Sequence, residues 1–256
     1  MLQKERQNKI IELLKQEKTV KIKEVAERFD VSIITIRRDF DILEEAGVIK
    51  KIYGGAMLIE AAPTEIVQPF FSARIEKHRT EKLLIASAAA SLVQDGDTIV
   101  LDIGTTCFEV AKQLKKHSDV TVLTNSLPIL NELVGTNLTV YSLGGLLRSG
   151  ELALCGSVAM NSLNDFCVNK AFISAAGITL ENGLTNHNRD NAKLCAAIVD
   201  RADQTILVAD SSKFDRNAFA VVGPLECVDT IITDSGISQE YADEIRQRGI
   251  QLIVAK

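Results

Sequence analysis

Along residues 4–16 the apolar positions Ile10, Ile11, Leu13 and Leu14 recur at helical spacing, as on an amphipathic helix with one buried stripe. Thr19-Val20-Lys21 alternates like a short strand, and Lys23–Phe29 returns to helical period with Val25, Ala26 and Phe29 on one side. Asp30-Val31-Ser32 makes a tight turn into a third helix, expected over Ile33–Glu45 and stopped at Gly47. Ser32 is placed to cap that helix by accepting a hydrogen bond from a first-turn N–H. At about 100° per residue, Ile36, Phe40 and Leu43 share one face, Ile34, Arg38 and Asp41 point the other way, and Thr35 and Arg37 flank them. Val48–Tyr53 then alternates as a strand, with a turn at Gly54-Gly55. Helix, helix, capped helix and β-wing together predict a winged helix-turn-helix over residues 1–57.

Residues 58–71, with Pro63 and Pro69, lose helical period and read as a linker. From residue 72 to 256 the pattern is an alternation of helices and apolar strands. Helices are expected over Thr80–Val93, from Gly104 to Lys116, and over 127–133, 153–163, 189–201 and 239–248. Strands are expected over Thr98–Asp102, Val120–Thr124, Leu138–Leu143, Lys170–Ala176, Thr205–Ala209, Val228–Thr233 and Gln251–Val254. Strands that are continuous apolar runs between helices imply a mostly parallel sheet covered on both faces, hence an α/β domain.

Charge is uneven. Residues 1–56 hold twelve Lys/Arg against ten Asp/Glu, a net of +2, and residues 57–256 hold seventeen against twenty-four, a net of −7. An acidic second domain is unsuited to holding DNA itself, which leaves that task to the head. The five cysteines are scattered without a C-x-x-C pair and the three histidines are dispersed, so no metal or other cofactor is expected. An odd cysteine count without a signal peptide points to the reducing cytoplasm, the cysteines being small buried apolar residues. No apolar run is long enough to span a membrane.

The third helix is the candidate chemistry of the head. An Ile at position 34 among solvent-facing residues is out of place on a plain surface helix, though a stray Ile would explain it. Against duplex DNA, Ser32, Thr35, Arg37 and Arg38 can bond phosphates or base edges and Ile34 can touch a thymine methyl. Lys50, Lys51 and Tyr53 would lie on the wing beside the phosphate backbone. In the second domain the strand ends carry the polar residues: Asp102 with Gly104-Thr105-Thr106, Thr124-Asn125-Ser126, Gly144-Gly145 with Arg148, and Asp210 with Lys213. Ligands of parallel sheets bind beyond the carboxyl ends of strands, and a Gly-Thr-Thr at a helix N-terminus suits a phosphate. Each group alone is also readable as a capped turn; the four together point to a small anion.

The segment from Arg6 to Ala56, with VSIITIRRDFDILEEAGVIKKIYGGA, resembles the DNA-binding head of the DeoR/GlpR family of bacterial transcriptional regulators. LDIGTT, TNS, LGG, VADSSKF and ITD resemble that family's C-terminal sensor, which is similar in fold to ribose-5-phosphate isomerase and the CoA transferases. The resemblance implies a repressor of a carbohydrate-metabolism operon, a homo-oligomer on repeated operator half-sites, released by a phosphorylated sugar or related metabolite. It further implies that Gly104, Thr105 and Thr106 cradle the phosphate and that Asp102, Asn125, Gly145, Asp210 and Lys213 line the sugar. The family's Glu and one of its basic positions ahead of VADSSKF fall at Asn191 and Ala196 here; Lys193 and Asp190 are near enough to substitute. His187 reads as a solvated loop residue, with contact to a ligand as the alternative.

The rival reading is a sugar-phosphate isomerase with an added head. Isomerisation through an enediol requires a carboxylate base beside the substrate carbon. The loop Leu143–Arg148 has none, and Glu151 lies further on, so a regulator without catalysis is expected.

Overall fold

The computed structural model describes residues 3–45, 48–52, 54–58 and 71–256. The stop at Gly47, Tyr53, and Pro63 and Pro69 of the linker lie outside the described residues. The chain divides into two compact units, residues 1–67 and 68–256.

The first unit runs α1 (Gln3–Glu17), β1 (Thr19–Lys21), α2 (Ile22–Phe29), α3 (Ile33–Glu45), β2 (Ile49–Ile52) and β3 (Gly55–Leu58). The strands form an antiparallel sheet in the order β1-β3-β2. The expected stripes meet in its core, where Ile10, Leu14, Val25, Ile36, Phe40 and Ile49 are buried. Ser32 caps α3, its Oγ accepting from Thr35 N at 3.1 Å.

Sequence reading passed over Asp39. Its carboxylate is fully buried and takes Arg6 Nε at 2.5 Å, Arg6 Nη2 at 3.3 Å and Gln7 Nε2 at 3.3 Å. This two-pronged pair ties α1 to α3 and fixes how α3 is rolled, because a guanidinium and a carboxylate bond in one planar geometry.

The second unit begins with α4 (Phe71–Glu76) and α5 (Arg79–Ala90), followed by β4 (Thr98–Leu101), α6 (Thr105–Leu114), β5 (Thr121–Thr124), α7 (Leu127–Leu133) and β6 (Thr139–Ser142). Next come β7 (Leu146–Arg148), β8 (Ala153–Cys155), α8 (Ser157–Leu163), β9 (Val168–Ile173), β10 (Gly177–Thr179) and β11 (Gly183–Asn186). The chain closes with α9 (Arg189–Arg201), β12 (Ala202–Val208), β13 (Ala220–Gly223), β14 (Thr230–Asp234), α10 (Gln239–Gln247) and β15 (Gln251–Ala255). Seven strands form one parallel sheet in the order β15-β14-β12-β9-β4-β5-β6. Both faces are apolar: Ile99 and Leu101 enter one core, and Val100, between them, enters the other. Because every strand points the same way, all seven carboxyl ends lie on one rim.

Several regions differ from expectation: β3 takes in Gly55, expected in the turn, and Leu58, expected in the linker, and α4 precedes the first helix expected in the second domain. The helix expected over 153–163 starts only at Ser157, because Ala153–Cys155 pairs antiparallel with Leu146–Arg148 and Gly156, at φ 90°, breaks the chain between strand and helix. A small antiparallel sheet, β10-β11-β13, fills a stretch where no strand was expected. Cys107, Cys155 and Cys195 are buried as expected; Cys167 is exposed.

Replacing Asp39 with Ala would leave the Arg6 charge buried without its carboxylate, a loss of about 3–5 kcal/mol. Hydrogen exchange of the α1 and α3 amides is expected to rise accordingly, and to rise less in an Arg6→Met/Asp39→Leu double variant.

Candidate functional site

In the head, the face of α3 opposite its core is open. Ile34 is 66% exposed, Arg37 and Arg38 are exposed, and neither arginine pairs with an acid among the described residues. Thr35 Oγ1 lies 2.8 Å from Ser32 Oγ, so the two hydroxyls sit together at the start of the helix. Lys50 is exposed on the wing. Lys51 differs from expectation: its N donates to Glu44 Oε1 at 2.8 Å, and its Nζ pairs with Asp41 at 2.7 Å and Glu44 at 2.9 Å. Those bonds push its ammonium pKa further up. Asp41 and Glu44, three residues apart on α3, converge on the wing and hold the lysine between them.

In the second unit the rim holds a hollow of about 720 Å³, counting space open to solvent. Gly104, Thr105, Thr106, Asp210 and Lys213 line it, as expected, at the ends of β4 and β12. Ser174-Ala175-Ala176, at the end of β9 between those strands, forms its floor. Asp102 stands behind this floor, its carboxylate accepting from Ser174 Oγ at 2.7 Å and Ser174 N at 3.1 Å. Burial raises its pKa, and the Ser174 hydroxyl opposes the rise. A Cβ on Gly104 would come within 2.3 Å of Ser174 Oγ, so only glycine lets the β4–α6 turn approach β9 this closely. Gly104 offers no side chain to cap α6, and the first turn of that helix, Thr105 and Thr106, lines the hollow.

Four other expected residues do not line the hollow. Asn125 is covered by the β7–β8 hairpin, its Nδ2 donating to Leu154 O at 2.9 Å and its backbone carbonyl accepting from Leu154 N at 2.8 Å. Gly145, at φ 110°, lets the hairpin pass: a Cβ there would lie 2.3 Å from Cys155 O. Arg148 pairs with Asp190 at 3.3 Å, and Lys193 is exposed on α9. The hairpin closes the ends of β5 and β6, which moves the cavity to β4, β9 and β12.

Most of the basic lining was missed in the sequence. Arg74, Lys77, His78 and Lys82 come from α4, α5 and the turn between them; they are joined by Asn186 at the end of β11, and by His187 after it and Asn191 on α9, both already singled out in the sequence. The signal available was the run Arg74, Lys77, His78, Arg79, Lys82 in an otherwise acidic domain. His187, read as a solvated loop residue, is half-buried against the hollow; burial first, then the charges of Arg74 and Lys213, lower its pKa and favour the neutral imidazole.

The lining is electrostatically lopsided: among the described residues, four Lys/Arg and two His face one carboxylate, Asp210. Burial lowers the pKa of Arg74, of Lys213 and of Lys82, the last to about 8. Lys82 Nζ donates to the carbonyls of Arg74 and, at 2.7 Å, of Lys77. Buried polar atoms without a hydrogen-bond partner gather here as well: Arg74 Nε and Nη2, Asn186 Nδ2, His187 Nδ1, Asn191 Oδ1 and Asp210 Oδ2. Unsatisfied buried groups are costly and rare in folded proteins, and their concentration here makes this cavity the candidate ligand site.

A DeoR-like helix-turn-helix domain matches residues 6–62, and a DeoR C terminal sensor domain matches residues 77–235. The chain belongs to the DeoR family. As a DeoR-family protein it is a DNA-binding transcriptional regulator. It is 34% identical to the glycerol-3-phosphate regulon repressor of Escherichia coli, over 98% of this chain and 99% of that one. It is 36% identical to the lactose phosphotransferase system repressor of Lactococcus lactis, over 96% and 97%, and 36% identical to the transcriptional repressor AccR of Agrobacterium fabrum, over 95% of each. The solved ribose 5-phosphate isomerase A of Methanocaldococcus jannaschii is 17% identical with a TM-score of 0.42, over 54% of this chain and 55% of that one. No activity follows from that likeness. No helix among the described residues is long and apolar enough to cross a membrane.

The pH dependence of the DeoR sensor follows from Lys82. Below its folded pKa of about 8 the ammonium is present and attracts an anion; above it the charge is lost. In the empty hollow the sign is opposite, since stability rises between about 8 and the ordinary 10.5 as a buried charge disappears. The melting-temperature rise produced by sulfate, whose own charge is constant over this range, is therefore expected to shrink as pH goes from 7 to 9. A Lys82→Met variant is expected to show a smaller and flatter response.

Proposed function

We propose that the protein is a cytoplasmic, effector-controlled repressor of a carbohydrate-metabolism operon, without catalytic activity. It would bind double-stranded operator DNA as a homo-oligomer and leave it when a phosphorylated sugar or similar anionic metabolite occupies the sensor. The observation that carries this reading is the excess of positive charge and unpaired buried polar atoms in one hollow of an otherwise acidic domain. The repressor sense rests on the relatives' names.

In this reading, residues 1–57 are the DNA-binding domain, 58–71 the linker and 72–256 the sensor and oligomerisation domain. Ser32, Ile34, Thr35, Arg37 and Arg38 of α3 would enter the major groove, the arginines meeting guanine edges or phosphates and Ile34 a thymine methyl. Lys50 would meet the flanking phosphates. Thr105, Thr106 and the α6 N-terminus, with Arg74, Lys82 and Lys213, would hold the effector's anion. Two heads on one operator raise affinity without any new contact. The effector releases DNA only if it binds the DNA-competent and DNA-free arrangements unequally.

Against a sugar-phosphate isomerase stands the placement of the carboxylates. Asp210 is the single one in the lining, and Glu151 is held away by Asn188 and Asn191. Incubation with pentose and hexose phosphates is expected to give no turnover above background.

Arg37→Ala and Arg38→Ala are each expected to weaken operator binding by roughly ten- to a hundredfold, the equivalent of about 1–3 kcal/mol, with the fold intact. Footprinting, together with a flatter salt dependence for whichever arginine meets phosphate, checks this. Thr105→Ala and Lys213→Ala are expected to leave DNA binding unchanged but to raise the effector concentration needed for release, by about tenfold or more for Lys213. Gel-shift titration with phosphorylated sugars measures it.

A further inference from the structure

Two of the unpaired atoms in the hollow are acceptors on deeply buried side chains: Asn191 Oδ1, on a residue 6% exposed, and Asp210 Oδ2, on a residue 1% exposed. The other atom of each is engaged. Asp210 Oδ1 accepts from Ser212 N at 3.1 Å, and Asn191 Nδ2 donates to Glu151 Oε2. Which end of an amide faces a cavity is decided by what holds its other end.

Here the holding group is Glu151, at the turn of the β7–β8 hairpin, with its side chain buried. Oε1 accepts from Asn188 Nδ2 and Oε2 from Asn191 Nδ2. Asn188 cannot turn over, because its Oδ1 caps α9 by accepting from Asn191 N at 2.8 Å. An ionised carboxylate only accepts, so Glu151 keeps the Asn191 NH2 and leaves the Asn191 carbonyl, on a residue lining the hollow, without a hydrogen-bond partner. Burial raises the Glu151 pKa, and the Asn191 amide leads the groups that oppose the rise.

We infer that Asn191, oriented by Glu151, is a specificity-determining residue that accepts a hydrogen from the uncharged part of the effector. With Asp210 Oδ2 it sets the effector class as a phosphorylated polyol, sugar or amino sugar carrying at least two free hydroxyl or amino hydrogens. Glu151 is a positioning residue, acting through Asn191. A carboxylate or second phosphate at this end would face two oxygens that have no hydrogen to give. The inference rests on the hollow being the effector site.

The test is thermal shift on the full-length protein with inorganic phosphate and with a panel of hexose, pentose and polyol phosphates. Inorganic phosphate alone is expected to raise the melting temperature, and the best organic phosphate to raise it further at equal concentration. In Asn191→Leu the inorganic-phosphate shift is expected to remain while the extra shift is lost, with affinity for that organic phosphate about tenfold weaker. Glu151→Gln is expected to lose the extra shift too. With Asn188 locked by its cap, the introduced amide accepts from Asn188 and turns its NH2 to Asn191, which flips the Asn191 carbonyl away from the hollow. If Asn191→Leu does not fold, Glu151→Gln decides alone. Either variant that folds and binds the organic phosphate as the unaltered protein does overturns the assignment, as does a panel in which nothing exceeds inorganic phosphate. No shift with any probe, inorganic phosphate included, removes the effector site itself and this inference with it.

Discussion

Positive charge without enough negative charge to answer it is the constraint around which the sensor is organised. Arg74, Lys77, Lys82 and Lys213 are brought to one hollow that holds a single carboxylate, in a domain whose overall charge is negative. Burying cations is unfavourable, and the lowered pKa values of Arg74, Lys82 and Lys213 express that cost as a tendency to lose the proton. Part is offset by the carbonyls that Lys82 bonds and by Asp210. The uncapped N-terminus of α6 adds to the same sign. In the proposed function an anion would add the missing negative charge, beside the help that Asp102 and Glu151 give Arg74 and that Glu109 gives Lys82.

The head rests on a different kind of electrostatic contact. The Arg6–Asp39 pair is buried and geometrically specific, and it joins the first helix to the third. By turning Asp39 inward, it leaves the neighbouring Arg37 and Arg38 on the solvent side. The Ser32 cap fixes where α3 begins. A helix that meets a groove must present its side chains at a set angle, and these two contacts hold that angle while leaving Ile34, Arg37 and Arg38 unengaged.

Hydrophobic periodicity made most elements legible. Helices α1, α2 and α3 follow their stripes, and the strands of the large sheet are apolar runs whose side chains feed two cores. Strands of three or four residues were legible where they alternate with helices, as β4, β5 and β6 do. The β7–β8 hairpin and the β10–β11–β13 sheet lie within the connections of that alternation and were not visible. The hairpin matters most, since it covers Asn125 and Gly145 and moves the cavity toward β9. Motifs at strand ends were recognised correctly as turns at one rim, but a turn motif carries no statement of what will be packed over it.

The chain's own order of residues determined the two-domain plan, the capped arginine helix, the parallel sheet and the Gly-Thr-Thr turn, because each depends on neighbours within a few residues. Only the tertiary structure decided which cations share the hollow, that Asp39 pairs with Arg6 across 33 positions, and that Glu151 turns Asn191 across 40. Such pairings depend on distances in space between groups far apart in sequence, and solvent exclusion, which sets their strength, exists only once the domains have closed around them.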